Sequence, residues 1–144
     1  MKEKLLSIES KEFPGTVMNY LQDKHESIIN NYRTPNGLSS EHCGLIALDI
    51  AKLLLEAGKQ PYIAKVSEDI REGSFIHPKM LVPIIYEGKV SWGAHQVCCC
   101  DGKALDPMLE APVFIEDYTK SLFGEDIEMK VLIPYEKIEE FIAN

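Results

Sequence analysis

The hydrophobic period of this chain changes near Gln60, and that change restricts the possible folds more than any single motif does. Before it, apolar residues recur at helical spacing; after it, they alternate. Val17, Tyr20, Leu21, Ile28 and Ile29 fall on one face between Thr16 and Tyr32, with Pro14-Gly15 before them and TPNG after, so the spacing predicts a first helix. SSEH then leads into CGLIALDIAKLLLEAG, where Leu45, Leu48, Leu53 and Leu55 sit among other apolar residues and Gly58 supplies a stop. This second helix is expected to be the buried centre of the fold. PYIAKV, MLVPIIYEGKVSW and AHQVCCCDGKALDP read as antiparallel strands and hairpins, with turns at Glu87-Gly88 and Asp101-Gly102. SEDIREGSFIHPK reads as a loop or flap, IEDYTKSLF as a short helix, IEMKVLI as a strand, and the remainder as a polar C-terminal segment. Pro83, inside an apolar run, points to an edge strand or a bulge. Helices first and strands second is the pattern of an α+β domain whose helices pack on one face of an antiparallel sheet.

A chain of 144 residues, 45% of them hydrophobic, can bury one core, and a single domain spanning 1–144 is expected. The formal charge of -8 and a pI near 5.0, with no cluster of Lys and Arg, argue against a nucleic-acid or anionic-membrane surface. The opening MKEKLLSIESKEF has no apolar run of signal-peptide length, and no run reaches the length of a membrane span. The expectation is a soluble, cytoplasmic chain, with delivery by a dedicated secretion machine left open.

Three of the four cysteines, Cys98, Cys99 and Cys100, are adjacent. Adjacent cysteines are poorly placed to bond one another, and one distant partner serves at most one of them, so a reducing compartment is the natural reading. Structural zinc sites use paired C-x-x-C or H-x-x-x-H spacings, which are absent, so neither a metal nor another cofactor is expected. Alternation also divides the triplet between two sheet faces, so packing is its expected role. Redox sensing would require these thiols to be exposed and acidic.

Cys43 is different. With Ser39 or Ser40 as N-cap, it lies in the first turn of the apolar helix, where unpaired N–H groups and the helix dipole favour thiolate. Its own N–H could serve an oxyanion. Gly44, next to it, would leave room for a substrate. The competing reading of Cys43 is a small buried residue, and a base would decide between them. A two-residue turn at Asp101-Gly102 pairs Cys100 with Lys103, Cys99 with Ala104 and Cys98 with Leu105, which makes His95 and Asp106 diagonal neighbours on one face. The same register sends Gln96 to the opposite face, which argues against a catalytic role for it. His25, His42 and His77 have no carboxylate placed by a hairpin. His42 remains a candidate substrate contact, Asn36 a candidate second oxyanion donor or a turn residue, and Trp92 either a pocket wall or a core anchor.

Thiol, imidazole and carboxylate in the order Cys43, His95, Asp106 are the set needed for covalent acyl transfer. A Cys-Gly opening the central helix, a strand beginning with histidine and a hairpin ending in Asp-Pro resemble the papain and transglutaminase-like cysteine enzymes. The match is closest to the protein-glutaminase, or protein deamidase, branch. It rests on Trp92-Gly93-Ala94-His95, on Leu105-Asp106-Pro107-Met108-Leu109 and on Pro112-Val113 to Tyr118. The resemblance covers about a third of the chain and departs from papain-like proteases in lacking a glutamine shortly before the cysteine, where Asn36 and Gly37 stand. It implies an α+β fold with the cysteine on a central helix, and hydrolysis of glutamine side-chain amides in a protein or peptide substrate by Cys43, His95 and Asp106. A papain-like peptidase, a transglutaminase and a non-catalytic protein-binding module on the same fold are the alternatives.

Overall fold

The computed structural model of the protein describes residues 13–31, 43–88 and 91–142. It is an α+β structure. Helices α1 (Gly15–Asn31) and α2 (Cys43–Glu56) come first. Strands β1 (Tyr62–Val66), β2 (Asp69–Glu72), β3 (Phe75–Pro78), β4 (His95–Cys100), β5 (Lys103–Leu105) and β6 (Val113–Phe114) follow, then α3 (Ile115–Phe123), β7 (Met129–Ile133) and α4 (Tyr135–Ile142). The main sheet has the order β6-β5-β4-β1-β7, with every neighbouring pair antiparallel.

Alternation along β4 assigns its side chains to two cores. Cys98 and Cys100 join Ile63, Leu105 and Ile133 beneath α1, α2 and α4, whose contributions include Val17, Leu21, Ile50, Leu54 and Ile138. Val97 and Cys99 join Ala64, Val66 and Ala104 on the opposite face, where Tyr118, Leu122 and Phe123 of α3 pack with Leu81, Tyr86 and Trp92. The sheet is therefore covered on both faces, and the expectation of helices on one face alone is corrected. The reason is α3, whose apolar residues form a stripe that the sheet's second face buries.

Helix α2 turns a stripe of Ala47, Ile50, Ala51 and Leu54 to the sheet, an i, i+3, i+4, i+7 set. Full burial of Ile50 and Leu54 contributes about 1.5–3 kcal/mol each. The leucines picked out by sequence lie beside this stripe: Leu48, Leu53 and Leu55 are partly buried, and Leu45 is exposed. The two alanines let the helix lie close to β4, which fixes where its first residue, Cys43, ends up.

Other local expectations change. SEDIREGSFIHPK forms the β2–β3 ribbon instead of a loop, closing at Gly73 in a left-handed turn. MLVPIIYEGKVSW is no continuous strand: Leu81 and Trp92 exchange backbone hydrogen bonds of 2.6 and 2.8 Å, and Pro83 opens a 3-10 turn at Ile84–Tyr86. Proline cannot donate to a ladder, which explains the break. The C-terminal segment is helical because Ile138 and Ile142, one turn apart, reach the α2 core.

Candidate active site

The hairpin that builds the site starts from its turn. Asp101 and Gly102 both adopt left-handed φ, 53° and 79°, the signature of a type I′ connection. The observed register pairs Cys98 with Leu105, Cys99 with Ala104 and Cys100 with Lys103. This places Asp106 beside His95, and the His95 Nε2 to Asp106 Oδ2 distance is 2.8 Å with both side chains buried.

Asp106 is held from three sides. Besides His95, the Tyr118 hydroxyl donates to Oδ2 and the Met108 N–H donates to Oδ1 at 2.8 Å. The carbonyl of Asp106 accepts from the Leu109 N–H, and His25 Nδ1 of α1 lies 2.8 Å from the Pro107 carbonyl. Asp-Pro thus folds a short turn tied to two helices. Burial alone would raise the Asp106 carboxyl, but the charge and hydrogen bond of His95, with Tyr118 and Met108, hold it below its ordinary value.

His95 is packed between two aromatic rings. Trp92 stacks on it, ring centroids 4.7 Å apart and planes 15° from parallel, and Phe123 meets it edge-on at 6.3 Å. Burial disfavours its charged form, but Asp106, and after it Cys43, push the imidazole up to about 9. With Nε2 committed to Asp106, the buried Nδ1 has no hydrogen-bond partner among the described residues and is the nitrogen left for the thiol.

Cys43, the first residue of α2, is half-buried. Burial pushes its thiol up, but hydrogen bonding and charge from His95, together with the Gln96 backbone N–H, outweigh it and hold the thiol below its ordinary 9.0. Both shifts move the pair toward a thiolate beside an imidazolium.

The triad opens on a cavity of about 420 Å³, lined by Cys43, Trp92, His95 and Gln96 with Asp49, Ile46 and Met108 among its other walls. The size is that of a small-molecule or single side-chain site. Trp92 is both pocket wall and core anchor: it is 4% exposed, and it lines the cavity. Gly44 does not leave a gap for substrate, because a Cβ there would stand 3.0 Å from Gln96 Oε1. The space belongs to the Gln96 carboxamide. Asn36, His42 and the serines considered as N-caps lie outside the described residues. His77 sits on the exposed β2–β3 ribbon, 3.9 Å from Glu72 and away from the cavity.

Sequence reasoning missed two neighbours of the triad. Tyr118 was visible only as the end of a short motif, with nothing to say that it reaches Asp106. Alternation turns Gln96 away from His95, but the face it points to is the one α2 covers, and so it meets the helix start that carries Cys43. Among the described residues no group of three or more His, Cys, Asp and Glu side chains could hold a metal ion, and no helix is long and apolar enough to cross a membrane. No protein-family model, curated protein or solved structure matches the chain.

Proposed function

We propose that the protein is a cysteine hydrolase of carboxamides, built on a papain/transglutaminase-like plan, and that it deamidates glutamine side chains in a protein or peptide. The observation that carries this reading is one buried imidazole set between a carboxylate at 2.8 Å and a half-buried thiol that it acidifies, at the wall of a cavity.

The chemistry follows from the groups. The Cys43 thiolate adds to the carbonyl carbon of a primary amide, and the carbonyl oxygen becomes an oxyanion. The Cys43 N–H, at the first position of a helix and so without an intrahelical partner, is one donor to it. His95 gives its proton to the departing nitrogen, ammonia leaves and a thioester remains. His95 then takes a proton from water, the hydroxyl adds to the thioester carbon, and collapse releases a carboxylic acid and restores the thiolate–imidazolium pair. The net change is amide plus water to acid plus ammonia. Asp106, kept ionised by its donors, holds the imidazole in orientation and stabilises its charge.

A glutamine-containing peptide mixture tests this directly. The native protein is expected to release ammonia and leave glutamate, one mass unit heavier at the modified residue. Cys43→Ala should lose the activity to background, a drop of at least ~10³-fold for removal of a nucleophile. New amino termini in place of ammonia would make it a peptidase. Incorporation of an added primary amine would make it a transglutaminase. None of the three would leave a binding module.

A further inference from the structure

One donor does not complete an oxyanion site, and the described part of the fold offers a second on the strand that carries the base. We propose that the side-chain carboxamide of Gln96 donates the second hydrogen bond to the oxyanion formed at Cys43, which makes Gln96 a fourth catalytic residue. This inference rests on the thiol-acylation chemistry proposed above.

Three observations on different atoms carry it. Gln96 follows His95 in β4, so alternation sends it to the α2 side of the sheet while His95 faces Trp92. Its backbone N–H is one of the groups that lower the Cys43 thiol, so β4 meets the helix start at this residue. Its side chain lies across Gly44: an added Cβ at that position would stand 3.0 Å from Oε1 and 3.5 Å from Nε2. The carboxamide therefore rests on Gly44, the residue after Cys43, and lies on the wall of the same cavity as the thiol. A carboxamide carries two N–H donors. Packed against glycine and half-buried, this one is pre-positioned on the cavity wall that carries Cys43, where a fixed donor is worth more than in water. A side chain at position 44 would press on the same carboxamide, on its oxygen first.

Gln96→Met keeps the length of the side chain and removes its donors. The readouts are the burst of p-nitrophenolate from p-nitrophenyl acetate, which reports acylation of Cys43 whatever the natural substrate, and the rate of iodoacetamide alkylation, which forms no oxyanion. The native protein should give a burst, and Gln96→Met should slow it about 100-fold through kcat with little change in KM and none in alkylation. Gly44→Ala, which suits a helix, should keep the fold and slow the burst by about tenfold. An unchanged burst in Gln96→Met, alkylation that falls in step with it, or no burst from the native protein would each overturn the proposal. A burst sensitive to Gln96 in a protein that releases no ammonia from glutamine would uphold this inference and sink the deamidase reading.

Discussion

The start of α2 and the middle of β4 both present cysteine, and the two regions treat the same side chain in opposite ways. Cys43 is half-buried, next to an imidazole and a backbone N–H, and its thiol is held below the ordinary value. Cys98, Cys99 and Cys100 are fully buried between two layers of apolar side chains. Burial pushes Cys99 up to about 12, Cys100 up to about 11 and Cys98 well above its ordinary value. A run of three cysteines draws the eye, but reactivity follows the cationic partner and not the count.

The largest effect expected from this difference is in alkylation. At pH 7, iodoacetamide should modify Cys43 faster than any strand cysteine in the folded protein by on the order of 1,000-fold, read by peptide mass. In His95→Ala the advantage of Cys43 should shrink toward that of an exposed ordinary thiol. Comparable labelling of residues 98 to 100 in the native state would remove the contrast. Labelling of Cys43 that ignores His95 would leave the contrast to burial alone and break the proposed pair.

Tyr118 sharpens the comparison from the carboxylate side. Its hydroxyl donates to Asp106 in a fully buried site, and burial, with the charge of Asp106, keeps it protonated far above neutrality. Tyr118→Phe leaves the ring packing intact and removes one of the donors that hold Asp106 ionised. The expected result is a loss of about tenfold in kcat, since a donor to the orienting group acts at one remove, with a stability cost of about 1–3 kcal/mol. The low-pH limb of kcat/KM should also move upward, because the carboxylate titrates higher when it loses a donor. A stability loss with an unchanged pH profile would reduce Tyr118 to packing.

The sequence exposed some of this and hid the rest for definite reasons. Alternation and turn chemistry are local, so the hairpin register and the meeting of His95 with Asp106 could be read from DG between two apolar runs. The start of a helix at Cys43 was legible for the same reason. Which face of the sheet a helix covers is not local. That choice is made by the two-alanine stripe of α2 and by the burial of Tyr118, Leu122 and Phe123 on the far side, and it decided the fate of Gln96 and Gly44. Pro83 in an apolar run suits an edge strand or a bulge, but a residue without an N–H can equally well open a 3-10 turn, and the burial of Tyr86 selects that outcome.

The smallest expected effect is thermal, and it separates the two regions by their titration windows. In Cys43→Ala, His95 still gains from Asp106, so its folded pKa stays above the unfolded 6.5. A raised pKa stabilises fully below the unfolded value and loses that contribution as pH rises through the folded one. The variant should therefore lose Tm steadily from pH 6.5 upward. In the native protein the depressed thiol works in the opposite sense: its contribution is present above the unfolded value of 9.0 and lost as pH falls through its folded value. It therefore grows from that folded value up to 9.0 and offsets the loss at His95 there, so the native curve should be flatter on the approach to pH 9, by a few degrees for a chain of this size. Calorimetry at four pH values measures both slopes. The strand cysteines bear little on the comparison, because all three are raised above 9.0 when folded and both proteins carry them. Equal slopes would mean that Cys43 and His95 do not share a proton equilibrium, and the thiol at the helix start would then differ from those in the strand only in its exposure.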